Sequence, residues 1–220
     1  MIKRGRLIAI GDIHACYDEL MALMKKIQLK PNDTLILLGD MIDKGKNTKA
    51  VIDFIINLKQ QAYPIIPLMG NHERMLLDAL FDKGQLAKWL SQGGKETLAS
   101  FKINTLDELN EKYIQFFSQL PYFYTSGKYI FVHAGLNDTI PNPLTDTQTM
   151  IWHCKEYYQN KSLQDKIIIH GHCPVSINKS LALIHKEAKV INIDTGCVYR
   201  KHDTGLSAYL IYEKQLITIK

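Results

Sequence analysis

Aspartate, asparagine and histidine recur in five short glycine-containing segments: G-D-I-H at residues 11–14, G-D-M-I-D-K-G at 39–45, G-N-H-E at 70–73, H-A-G at 133–135 and H-G-H at 170–172. Taken singly, each has a plain explanation. Gly-Asp is a turn signal, and a lone histidine is more often a hydrogen-bonded loop or core residue. Taken together they offer carboxylate oxygen, amide oxygen and imidazole nitrogen, donors that suit Mn²⁺, Fe²⁺, Co²⁺ or Zn²⁺. A carboxylate can bridge two such ions, and two ions about 3.5–4 Å apart clamp a reacting phosphate.

The elements that must position these groups are readable from apolar spacing. Residues 7–10 form a short apolar run, and Tyr17, Leu20, Met21, Met24 and Ile27 then recur at helical spacing. Runs at 34–38 and 65–69 flank a second helix marked by Ala50, Val51, Phe54, Ile55 and Leu58. This β-α-β-α-β alternation predicts a sheet with parallel strands and covering helices. Short helical pieces follow at 75–81, 86–90 and 97–101. An amphipathic helix is marked by Leu106, Leu109, Tyr113, Phe116, Phe117 and Leu120 and stops at Pro121. The second half reads as strand-rich, with runs at 122–124, 129–132, 167–169, 181–184, 190–193, 206–211 and 216–219 and a surface loop at 137–149. No repeat, low-complexity tract or linker interrupts the chain, which predicts one domain over 1–220. Each polar segment follows a predicted strand, and in open α/β sheets ligands sit outside the carboxyl ends of strands.

Bulk properties narrow the partners. The chain of 220 residues is 46% hydrophobic and 22% charged, ordinary globular composition. Its net charge of +5 is spread rather than gathered, which argues against a nucleic-acid partner and suits an anionic phosphate substrate. No apolar run approaches the roughly 20 residues of a membrane helix. The apolar run after the basic start ends at Gly11-Asp12, too short for a signal-peptide core. Cys16, Cys154, Cys173 and Cys197 form no C-x-x-C pair. They read as reduced thiols of a cytoplasmic protein.

In this order, G-D-I-H, G-D-M-I-D-K-G, G-N-H-E, H-A-G and H-G-H resemble the phosphoprotein phosphatase family of calcineurin-like metallophosphoesterases. The likeness runs from Gly11 to about Gly196, where I-N-I-D-T-G-C resembles the family's last strand and turn. W-L-S-Q-G-G-K-E-T-L at 89–98 is similar to the helical insert of its bacterial branch, which holds small protein phosphatases and symmetrical diadenosine tetraphosphate hydrolases. The resemblance implies an α/β fold of two sheets packed face to face and flanked by helices. It implies two divalent metal ions, manganese first among the choices, with Asp12, His14 and Asp40 on one ion. It implies Asp40, Asn71, His133 and His172 on the other, with Asp40 bridging. It implies attack by a metal-bridging hydroxide, protonation of the leaving oxygen by His72, and orientation of His72 by Asp43.

The expected reaction is phosphate monoester hydrolysis, first as a serine/threonine-type protein phosphatase. The alternative substrate is a dinucleoside tetraphosphate, and a non-catalytic binding module is a third reading. Gly70–Glu73 ends in glutamate as in the protein phosphatases, whereas the dinucleotide hydrolases often carry aspartate there. Expected phosphate contacts are Asn71, Lys44, which replaces the usual arginine, and Lys155, which stands near the position of a second arginine that Cys154 occupies without a gap. Ala15 replaces the glycine of G-D-x-H-G, a change that suits any backbone without positive φ. The oligomeric state is left open.

Overall fold

The computed structural model describes residues 5–220. The basic start at 1–4 lies outside them. Strands β1 (Leu7–Ile10), β2 (Thr34–Leu37) and β3 (Ile65–Pro67) alternate with helices α1 (Tyr17–Ile27) and α2 (Thr48–Gln60). β1 pairs in parallel with β2, and β2 with β3. Leu20, Leu23 and Ile27 are the buried face of α1, and Asp18 and Glu19 in its first turn with Lys25 and Lys26 in its last match the helix dipole.

Helices α3 (Asn71–Ala79), α4 (Lys83–Trp89), α5 (Lys95–Phe101) and α6 (Glu111–Ser118) follow, with a π-helical turn at Leu90–Gly94. Then come β4 (Phe123–Ser126), β5 (Tyr129–Val132), α7 (Thr147–Trp152), β6 (Ile167–His170), α8 (Ile177–His185), β7 (Val190–Asn192), β8 (Leu206–Leu210) and β9 (Gln215–Ile219).

The strands form two mixed sheets, β3-β2-β1-β8-β9 and β4-β5-β6-β7. Side chains alternate along each strand. Leu7 and Ala9, Ile36 and Leu38, Phe131, Ile169 and Ile191 share one apolar cluster drawn from both sheets, so these faces pack against each other. Ile8, Ile10, Leu35 and Leu37 point the other way, into a cluster with α1 and α2 residues such as Leu23 and Ile55. The expected two-sheet α/β fold flanked by helices is present.

Three local readings are corrected. The run 181–184 is not a strand but part of α8. Ile177, Ser180 and Ile184 are buried at helical spacing, and the Ser176 side chain accepts the Lys179 N–H at 3.1 Å as an N-cap. The parallel pairing of β6 with β7 requires such a crossover. The helix expected over 106–120 is split into a 3₁₀ turn at Leu106–Glu108 and α6, because Asn110 caps α6 by accepting the Lys112 N–H at 3.0 Å. The loop at 137–149 holds a 3₁₀ turn, Pro143–Thr145, and the start of α7. No helix among the described residues is long and apolar enough to cross a membrane.

Candidate metal centre

The five polar segments leave β1, β2, β3, β5 and β6 on one rim and meet around Asp40. Its Oδ2 lies 3.4 Å from His14 Nε2 and 3.9 Å from His72 Nε2, and its Oδ1 lies 3.4 Å from His133 Nε2. Ligand atoms of His14, Asp40 and His72 fall within 4.8 Å of one another, as do those of Asp40, His133 and His172. Asp40 is common to both groups. Asp12 stands beside them, its carboxylate accepting the His172 backbone N–H at 3.1 and 3.2 Å.

The backbone is bent hard to bring these groups in. His14, Ala15, Asp40, Asp43, Lys44 and His172 all have positive φ, and all lie on the rim. Such conformations cost roughly 1–3 kcal/mol each and persist only where the surroundings hold them. Ala15, at φ 56°, therefore does occupy a left-handed position, contrary to the backbone that alanine suits.

On the β2 side the side chains are locked by other side chains. His72 Nδ1 donates to Asp43 Oδ2 at 2.8 Å. The same oxygen accepts Trp89 Nε1–H at 2.9 Å, and Asp43 Oδ1 accepts the Thr97 hydroxyl at 2.6 Å. Burial works against a charged His72, but the charges of Asp40 and Asp43 outweigh it and raise its pKa. The W-L-S-Q-G-G-K-E-T-L insert thus supplies the two groups that fix Asp43. Its glycines are dictated by close approach. A Cβ on Gly93 (φ 113°) would lie 2.4 Å from Lys44 N, and one on Gly94 would lie 2.5 Å from the Trp89 ring.

Glu73 is buried and faces backbone. Its carboxylate accepts N–H groups from Asp40 at 2.9 Å, Met41 at 2.7 Å, Ile42 at 3.4 Å and Gly70 at 3.0 Å. It ties the loop after β2 to the start of α3.

On the other side the anchors are mostly backbone. His133 Nδ1 donates to the Leu38 carbonyl at 2.8 Å, and on the β1 rim His14 Nδ1 donates to the Ile42 carbonyl at 3.0 Å. Each ring therefore carries its proton on Nδ1 and turns the Nε2 lone pair towards Asp40. Burial lowers the pKa of both rings and of His172, to about 3 for His14 and about 4 for His172, so all three are neutral near pH 7. An imidazole with one nitrogen tied to a carbonyl and the other bare is the arrangement metal-binding histidines adopt.

The donor set fits a cation. His133 Nε2 and His172 Nδ1 face each other at 3.1 Å. The inward end of the Asn71 amide meets His133 Nε2, His172 Nδ1 and both Asp40 oxygens at 3.0–3.2 Å, acceptors without exception. The amide NH₂ satisfies them when turned inward, and a metal ion satisfies them with the amide oxygen inward. At His14 a cation is already in place: the Lys44 ammonium lies 3.0 Å from Nε2.

A family model for calcineurin-like phosphoesterases matches residues 5–201 of the chain. The chain belongs to this family. It is 28% identical to bis(5'-nucleosyl)-tetraphosphatase PrpE (asymmetrical) of Bacillus velezensis, an alignment covering 89% of this chain and 86% of that relative. It is 31% identical to the symmetrical bis(5'-nucleosyl)-tetraphosphatase of Dechloromonas aromatica over 58% of this chain and 43% of that relative. The fold is shared with the cold-active protein-tyrosine phosphatase of a psychrophilic Shewanella, with a TM-score of 0.65 at 18% identity, covering 98% of this chain and 80% of that one.

Within this metallophosphoesterase, Asp12, His14, Asp40, Asn71, His72, Asp43, His133, His172 and Lys44 are brought together. Lys155 is held elsewhere, its ammonium ion-paired with Asp138. Cys154 is nearer the rim, its Sγ 3.7 Å from the Gly171 carbonyl. Glu73, Trp89, Thr97 and Asp194 have roles that residue type alone does not show. Asp194, two residues beyond β7, accepts the Gly196 N–H at 2.9 Å, and burial lifts its pKa to about 7. Their sequence signal was position only: each lies inside a segment that resembles the family.

Proposed function

We propose that this metallophosphoesterase hydrolyses a dinucleoside tetraphosphate, acting as a single domain in the cytoplasm. The observation that carries the substrate class is the near end-to-end alignment with a relative named as a bis(5'-nucleosyl)-tetraphosphatase. The protein phosphatase expectation leaned on Glu73. That carboxylate is taken up by four backbone N–H groups, so its identity speaks of scaffold and not of substrate.

Asp12, His14, Asp40, Asn71, His133 and His172 would hold two divalent ions. When bound, such ions supply Lewis-acid polarisation of the phosphate and lower the pKa of water. The chain's own part is proton delivery and charge. His72 keeps its Nδ1 proton on Asp43 and aims Nε2 at the Asp40 side of the rim. As water oxygen bonds to phosphorus and gives up a proton to solvent, the P–O bond to the departing phosphate breaks and the Nε2 proton of His72 passes to the departing oxygen. Asp43, pinned by Trp89 and Thr97, holds the ring in that orientation. Lys44 offers a point charge to the phosphate chain.

The test is a side-by-side assay in Mn²⁺ on diadenosine tetraphosphate and a phosphoserine peptide, with products separated by chromatography. ADP alone means symmetrical cleavage, and ATP with AMP means asymmetrical cleavage. Phosphate from the peptide without nucleotide products would return the protein phosphatase reading to first place.

A further inference from the structure

Behind the chain turn at 170–173 lies a cavity of about 460 Å³, lined by Cys154, His170, Cys173, Leu183, Val190 and Asn192. That volume is in the range of small-ligand pockets. The turn has two sides. On one, a Cβ on Gly171 would lie 2.1 Å from Asp12 Oδ1, so the backbone presses directly on the metal rim. On the other, Cys154 Sγ touches the Gly171 carbonyl, and Cys173, next in sequence to His172, faces the cavity.

Leu183 and Val190 give it apolar walls, and Lys155 and the Lys179–Glu156 ion pair stand in the same lining. Asn192 is committed to the backbone, donating to the Cys173 carbonyl at 2.7 Å and accepting the Asp194 N–H at 2.9 Å. His170 is different. It is only 4% exposed. Its Nδ1 donates to the Gly171 carbonyl at 3.0 Å, which leaves Nε2 as a lone-pair acceptor. Nε2 has no hydrogen-bond partner among the described residues, and His170 lines the cavity. An acceptor without a protein partner at a cavity wall is available to a ligand donor. Apolar walls, an imidazole in the lining and two lysines in the same lining suit a flat aromatic base that bears an exocyclic amine and is attached to a phosphate chain.

We propose that this cavity is a nucleoside subsite: it takes an aminopurine base, with the amine donating to His170 Nε2 and the phosphate chain crossing the turn at 170–173 to the Asp40 rim. The inference rests on the dinucleotide reading above and gives that reading its specificity element.

Cys173 is exposed and serves as a reporter. In the Mn²⁺-loaded protein, alkylation of Cys173 by iodoacetamide is followed by peptide mass spectrometry, with adenosine or with purine riboside, which lacks the amine. Adenosine is expected to slow alkylation at least about tenfold at saturation, and purine riboside to need about tenfold more, the scale of one hydrogen bond. Leu183→Trp, which fills the cavity, is expected to abolish the protection. It should also lower the ratio of kcat/KM on diadenosine tetraphosphate to that on p-nitrophenyl phosphate at least about tenfold.

If the dinucleotide is cleaved but adenosine leaves alkylation of Cys173 unchanged, or protection survives Leu183→Trp, the subsite is overturned and the function reading stands. If adenosine protects but the dinucleotide is not cleaved, the subsite stands as a nucleoside site and the function reading falls. Equal protection by purine riboside overturns the His170 contact.

Discussion

The β2 side of the rim and the β6–β7 side hold their functional groups by different means. On the β2 side, Asp43 is gripped by His72, Trp89 and Thr97, and Glu73 is gripped by four backbone N–H groups. Each of these carboxylates is held by several donors. On the β6–β7 side, His172 is placed by its own backbone N–H on Asp12, His170 is tied to a neighbouring carbonyl, and an open cavity lies behind the turn. Proton transfer tolerates little displacement, because donor and acceptor must stay within hydrogen-bond reach. Admitting a substrate requires space. On the proposed reading, the rigid network serves the first task and the open space the second.

That comparison can be broken or sharpened by substitution. Asp40 belongs to both sides, so Asp40→Asn should cost the most. It removes the charge that faces His14, His72 and His133 together. Mn²⁺-dependent hydrolysis of p-nitrophenyl phosphate should fall on the order of a thousandfold, the several kcal/mol expected of lost metal catalysis. Retained activity would mean that the two sides work separately.

His72→Asn should follow. It should keep Mn²⁺ binding, measured by calorimetry, yet slow esters with poor leaving groups by roughly a hundredfold. The loss should be smaller for p-nitrophenyl phosphate, whose phenolate departs without a proton. Equal losses on both esters would remove His72 from proton delivery.

Gly93→Ala tests the rigid side at a distance from the chemistry. The new methyl would lie 2.4 Å from Lys44 N at a residue with φ 113°. Thermal unfolding should show a destabilisation of about 2 kcal/mol, the scale of a strained backbone with overpacking. A neutral result would show that the insert yields easily, and the claimed rigidity would go with it.

The smallest effect concerns α7, which carries the chain towards Cys154. Asp146 caps it, accepting N–H groups from Gln148 and Thr149. Hydrogen bonds from the Asn137 side chain and Thr149 hold its pKa at about 2. The folded value lies below the unfolded one near 3.9, so the stability it adds is present above about pH 4 and is lost as pH falls towards 2. Asp146→Asn should flatten the stability curve between about pH 4 and pH 2 by less than about 1 kcal/mol. An unchanged acid limb would show that the cap adds nothing.

Much of this was legible in the residues. The strands β1, β2, β5 and β7 stand within one residue of their apolar runs, because a buried strand needs a continuous apolar stretch and a turn residue to end it. The polar segments were legible for the opposite reason: carboxylate, amide and imidazole side by side have few uses other than ligation. What misled was short-range ambiguity. Leu-Ala-Leu-Ile at 181–184 fits a strand or a helix equally, and only the parallel partnership of β6 and β7 decides for α8. Glu73 read as a family marker because its four partners come from two loops, Asp40 being 33 positions away in the chain.

By itself, then, the sequence determined the strand cores, the kinds of ligand atom and their order along the chain. These follow from side-chain chemistry and from periodicities of a few residues. Tertiary structure alone decided that Asp40 sits between His14, His72 and His133, that Trp89 and Thr97 reach Asp43, and that His170 lines a cavity behind the rim. Each of these joins segments far apart in sequence, and their distances are set by how the sheets and helices pack, which no local pattern encodes.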